Sequence, residues 1–135
     1  MIALDQIRQM LEADAEWSSE GSAHWLDAAS FTVRQLATVM RQCSARFVTI
    51  TAYELPKDAG LRMEYHWDLN GTLLGFRFAL EGKTIDSICD LCEAADWIER
   101  EVHEEYAIEF LGRTCDPLLL RTGDPLGVNL REVRA

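Results

Sequence analysis

The sequence predicts an α+β domain, with helices packed on one face of a small, mainly antiparallel sheet and an irregular C-terminal arm. Three observations carry that prediction. Leu61, Met63, Tyr65, Trp67 and Leu69 alternate with Arg62, Glu64, His66 and Asp68, the period-two pattern of a half-buried strand. Asn70-Gly71 follows, and both residues tolerate the positive φ of a two-residue hairpin turn. Before this hairpin, apolar residues recur at helical spacing in two separate stretches.

Taken in order, Ile2 to about Ala15 reads as an amphipathic helix bearing Leu4, Ile7, Met10 and Leu11. Trp17 to Ser22 is polar with a Gly and reads as a loop, and His24 to Ala28 as a short strand. A second helix begins at Ser30 as N-cap and places Val33, Leu36, Ala37 and Met40 on one face. Phe47 to Tyr53 is rich in β-branched and aromatic residues, hence a strand, and Pro56 to Gly60 turns the chain.

Leu61–Leu69 and Thr72–Leu80 then form the hairpin. Its turn sets Trp67 opposite Leu74, Tyr65 opposite Phe76 and Met63 opposite Phe78, with Glu64 facing Arg77 on the polar side. A one-residue slip would send the apolar side chains to opposite faces. On this pattern His66 faces solvent. After a turn at Glu81-Gly82-Lys83, a helix is expected from Ile85 or Ser87 to Tyr106, and an extended segment at Ile108–Leu111. The arm from about residue 112 holds Pro117, Gly123, Pro125 and Gly127. A chain of 135 residues without an internal repeat or linker is read as one domain, 1–135.

Composition excludes several functions. The formal net charge is −10. Between Asp86 and Glu109 stand nine acids, Asp86, Asp90, Glu93, Asp96, Glu99, Glu101, Glu104, Glu105 and Glu109, against the one base Arg100. Such a surface opposes nucleic-acid binding, which requires cations to displace condensed counterions. No apolar run approaches the ~18 residues of a membrane span, and Asp5 interrupts the position a signal peptide would keep apolar. The expected location is the cytoplasm, with no direct membrane insertion.

Chemistry has few candidates. Cys89-Asp90-Leu91-Cys92 is a lone C-x-x-C with no second half-site beside Cys43 or Cys115. On a continuous helix, Cys92, Asp96, Glu99 and His103 would share one stripe, a possible metal face. Buried core thiols are the simpler reading. His24, His66 and His103 belong to no hydrolase signature, and no glycine-rich phosphate loop occurs. No metal and no catalytic residue is assigned. The alternatives carried forward are a free-standing metal- or thiol-dependent protein using Cys89, Cys92 and His103, and a generic acidic adaptor.

The segment Ser87 to Phe110, SICDLCEAADWIEREVHEEYAIEF, resembles the signature of the thirty-kilodalton subunit family of respiratory complex I and its relatives in membrane-bound, energy-converting [NiFe] hydrogenases. The matching residues are Ser87, Ala95, Trp97, Glu99, Arg100, Glu101, Ile108 and Phe110. The family's aspartate, aromatic and glycine correspond to Glu104, Tyr106 and Ala107. Departures follow, with Gly112-Arg113-Thr114 where the family continues Gly-His-Pro, and a shortened C-terminal extension, as in the shorter hydrogenase forms. The resemblance implies a cofactor-free structural and assembly subunit that docks on a large catalytic subunit beside an iron–sulfur subunit, peripheral to the cytoplasmic face of the membrane. It also implies a partner interface built from Trp97, Glu99, Arg100, Glu101, Tyr106 and Phe110. Arg100, the one cation among these acids, is expected to pair with a carboxylate, within the chain or across an interface.

Overall fold

Asn70 and Gly71 both adopt left-handed backbone, with φ of 52° and 89°, and join two long strands in a tight hairpin. The computed structural model describes residues 3–80 and 82–134. Ile2 and Glu81, assigned above to the first helix and to the turn after the hairpin, lie outside the described residues. The elements are α1 (Leu4–Leu11), β1 (Ser18–Glu20), β2 (Ala23–Asp27), α2 (Val33–Gln42), β3 (Arg46–Glu54), β4 (Leu61–Leu69), β5 (Thr72–Ala79), β6 (Thr84–Asp86), α3 (Ala95–Tyr106), β7 (Glu109–Leu111) and the single turn α4 (Arg131–Arg134).

Five strands form one mixed sheet in the order β1-β2-β5-β4-β3, and β6 and β7 form a second, two-stranded sheet. All pairs of the large sheet are antiparallel except β2 with β5. The hairpin register is the expected one, with Trp67 opposite Leu74, Tyr65 opposite Phe76 and Met63 opposite Phe78. One face of β4 is buried throughout and packs with Ile7 and Leu11 of α1, Leu36 and Met40 of α2, and Ala95 and Val102 of α3. All three long helices therefore share one face of the sheet.

Four local expectations are corrected. The helix α1 stops at Leu11, because Glu12 turns left-handed at φ 53°, and Met10 points outward. The stretch read as a loop contains β1, a three-residue edge strand without a buried side chain and so without a hydrophobic signal. The N-cap of α2 is Thr32 rather than Ser30. The Thr32 side chain accepts from the Gln35 amide at 3.1 Å while the Gln35 side chain accepts from the Thr32 amide at 2.8 Å. Ser30 instead ties the end of α1 in place, through the Asp14 amide and the Glu12 carbonyl.

The polar face of the sheet is the fourth. Glu64 does stand opposite Arg77. The Arg77 guanidinium, however, pairs with Glu20 at 3.2 Å and lies 4.2 Å from the Trp25 ring, whereas Glu64 accepts from the Tyr53 hydroxyl at 2.6 Å. The Trp25 indole lies flat over Gly75, where any Cβ would come within 2.4 Å of the ring. It also packs edge-on against His66. Partly covered, His66 is not the solvent-facing residue expected, and burial pushes its pKa down against the opposing pull of Glu64.

Candidate functional site

The helix expected from Ser87 begins only at Ala95. Residues Ser87 to Ala94 form tight turns because their polar groups face a side chain rather than the next helical turn. The Glu99 carboxylate accepts from the Ser87 hydroxyl at 2.6 Å and from the Ile88 amide at 2.8 Å. The Ser87 oxygen in turn accepts from the Cys89 amide. The preceding strand β6 pairs in parallel with β7, which brings both ends of the α3 excursion together. Arg34 of α2 clamps these turns from outside, bidentate on Asp90 at 2.8 Å and 2.8 Å and also on the Ser87 carbonyl. That contact holds the Asp90 pKa down to about 2.

Helical periodicity turns Ala95, Glu99 and Val102 inward together, so Glu99 enters the core with 0% of its surface exposed. A buried carboxylate requires a partner, and Arg113 supplies it at 3.3 Å. The Arg113 guanidinium also pairs with the Asp96 side chain and donates to the Asp96 carbonyl. Burial pushes the Glu99 carboxyl above the usual range, outweighing Ser87, Ile88 and Arg113, which all favour its charge.

Two further contacts fasten the C-terminal arm to α3. The Glu104 carboxylate accepts from three successive amides, Leu118 at 2.7 Å, Leu119 at 2.9 Å and Leu120 at 3.1 Å. Its backbone carbonyl accepts from the Gly127 amide. Burial works to raise this carboxyl, but the three amides bring it below the usual range. One turn earlier, Arg100 donates to the Asp116 carbonyl at 3.1 Å and to the Pro117 carbonyl at 2.8 Å. The expectation of a carboxylate partner for Arg100 within the chain is thus corrected. Arg100 holds backbone, and the arginine that satisfies Glu99 is Arg113. Adjacent helical residues diverge by about 100°, so Glu99 and Arg100 cannot face the same way.

Of the six residues expected at an interface, Trp97 is 68% exposed and Arg100, Glu101 and Tyr106 are half-buried. Glu99 and Phe110 are enclosed by the chain itself, and they shape the surface from beneath rather than present side chains on it. The sequence reading missed the roles of Arg113 and of the amide-binding Glu104, and it passed over Leu119, which is 74% exposed. The one available signal was the apolar run Leu118-Leu119-Leu120 within a polar arm.

The metal or thiol alternative finds little geometry. Among the described residues no group of three or more Cys, His, Asp or Glu side chains is placed to hold a metal ion. Cys92 lies before α3 begins, which breaks the helical stripe proposed for it, and burial pushes its thiol up, away from the reactive thiolate. His103 Nδ1 donates to the Ile108 carbonyl at 2.8 Å and closes the end of α3. All four cysteines are unpaired thiols.

Fold and site together define a mixed α+β sheet domain with a glutamate–arginine pair buried beneath its last long helix and an irregular arm clasped along that helix. The family model described as respiratory-chain NADH dehydrogenase, 30 Kd subunit, matches residues 25–131, and the chain belongs to that family. It is thereby one of the subunits of complex-I-like respiratory membrane complexes. Among solved structures, the chain is similar to the trypsin-resistant fragment (1–134) of Nqo5, with a TM-score of 0.65 and 16% identity over 85% of this chain and 96% of that one. It is also similar to a chain of the membrane-bound sulfane sulfur reductase, an archaeal respiratory membrane complex, with a TM-score of 0.68 and 20% identity over 92% and 77% of the two chains. At these identities the likeness is one of fold. The comparison with curated proteins returns no match.

Proposed function

We propose that this chain is a structural and assembly subunit of a membrane-bound, energy-converting [NiFe] hydrogenase or a related NADH:quinone oxidoreductase-like complex. In this reading it docks on the large catalytic subunit beside an iron–sulfur subunit, at the cytoplasmic face of the membrane. The observation that carries the reading is the family match over residues 25–131, which includes the whole Ser87–Phe110 segment. The arrangement of α3 supports it. The polar groups of this helix are largely spent on holding the fold and the arm together, and its large apolar residue Trp97 stays outside. No helix among the described residues is long and apolar enough to cross a membrane, so attachment through partner subunits fits the chain. Deletion of this chain from the native host tests the proposal. Loss of the large catalytic subunit from the membrane fraction is expected, and its retention at the normal level would refute an assembly role.

A further inference from the structure

The helix α3 and the arm fastened along it each present one large, exposed apolar side chain. Trp97 and Leu119 are 68% and 74% exposed. Arg100 lies one turn beyond Trp97 and grips the Asp116 and Pro117 carbonyls, while Glu104, a further turn along, grips the Leu118, Leu119 and Leu120 amides. The arm therefore runs beside the helix, and Leu119 is fixed at the level of Glu104, about 10 Å along the axis from Trp97.

The fastening has a consequence for Leu119. A buried carboxylate and three aligned amides hold its backbone rigid while its side chain faces solvent. Besides fastening the arm, such an arrangement fixes an apolar anchor before any partner arrives, which lowers the ordering cost of association. Tryptophan is the residue type most often found at the energetic centre of an interface.

The surround carries a sign. Glu101 lies one turn beyond Trp97, Glu93 stands exposed in the turn just before α3, and Asp116 is exposed on the arm. Arg100 is the one base within the strip. The Arg113 cation beneath it is already matched by Asp96 and Glu99 and offsets none of these acids. At the far end the Asp124 carboxylate accepts from the Arg121 backbone amide, and the formal charges of the two residues cancel. The strip is thus an apolar pair in a negative field.

Resting on the proposed subunit role, we infer that the strip Trp97–Arg100–Leu119 is the docking surface, and that its occupant is an apolar segment of a partner subunit flanked by lysine or arginine. The indole fills an apolar pocket whose basic rim faces Glu93 and Glu101.

The test uses the tagged full chain, expressed in its native host and recovered from solubilised membranes. Trp97→Ala and Leu119→Ala are expected to melt at the wild-type temperature and yet to recover the partner subunits about 10-fold less well. Glu101→Lys should weaken recovery as well, and raised salt should weaken recovery by the wild type. A benzoyl-phenylalanine at position 97 should cross-link to an apolar peptide bearing Lys or Arg. Wild-type recovery by both alanine variants, or cross-links to an acidic or uncharged segment, would overturn the inference while leaving the subunit role intact. Recovery of the wild-type chain alone would overturn the subunit role, and this inference with it.

Discussion

Glu99 and Arg113 lie fourteen residues apart in sequence and meet in the core as an ion pair at 3.3 Å, the carboxylate wholly buried. Removing one partner of such a pair leaves the other charge without compensation. Arg113→Ala should therefore destabilise the chain by about 3–5 kcal/mol. Adding Glu99→Gln to that variant should recover part of the loss. Arg100→Ala, whose guanidinium holds only carbonyls near the surface, should cost about 1 kcal/mol. Guanidinium chloride melts of the four proteins check the ranking, and equal losses for Arg100→Ala and Arg113→Ala would contradict it.

Two glutamates of α3 make opposite contributions to the pH dependence of stability. Glu104 is held below its unfolded pKa, so its contribution is present above about pH 4.3 and fades as pH falls through its folded value. Glu99 is held above its unfolded pKa. Its contribution is present below about pH 4.3 and is lost as pH rises through its folded value. Glu104→Gln should thus lose stability at neutral pH and little in acid, and its Leu118–Leu120 amides should exchange hydrogen faster. Glu99→Gln should flatten the decline on the alkaline side. Urea melts from pH 3 to 8, with amide exchange at two pH values, test both signs.

Ala107 ends α3 in left-handed backbone at φ 56°, where its amide bonds to the His103 carbonyl. A Cβ is unfavourable there, and glycine relieves it at a small entropic cost in the unfolded chain. Ala107→Gly should stabilise by about 0.5–1 kcal/mol. A fall in melting temperature would show that the Ala107 methyl contributes more by packing beside Gly127 than it costs in strain.

The Tyr65 hydroxyl is buried and makes no hydrogen bond within the described residues. Burial, with Glu99 and Asp86 nearby, drives its pKa well above the ordinary value, so it stays protonated. Tyr65→Phe removes an unsatisfied donor and leaves the ring contacts with Trp67 and Phe78 in place. The variant should be as stable as the parent, or more stable by about 1 kcal/mol. A loss of more than that would mean the hydroxyl has a partner.

These residues also show what the chain order reveals. The register of the β4–β5 hairpin was legible pair by pair, because alternation and Asn70-Gly71 act on neighbours, although β5 ends at Ala79 rather than Leu80. The pairing of β2 with β5 was not, since nothing local encodes a parallel contact between Trp25 and Gly75. The start of α3 was missed because Ser87 and Ile88 look helical in isolation, and their commitment to Glu99 is tertiary. Trp97 was named through the family resemblance and is exposed. Arg100 drew attention as the one base among acids, yet the base that Glu99 requires comes from the arm. Leu119 and the amides on Glu104 depend on that same return of the arm, which no periodicity announces.

The central claim, that this chain is one subunit of a larger membrane-bound redox assembly, is tested most directly by the native mass of the species that carries it. Tagged chain drawn from gently solubilised membranes of its own host should run far above its 15.3 kDa, in fixed stoichiometry with a large catalytic subunit and an iron–sulfur subunit. Recovery at its own mass alone, under conditions in which those other subunits remain assembled, would contradict the account.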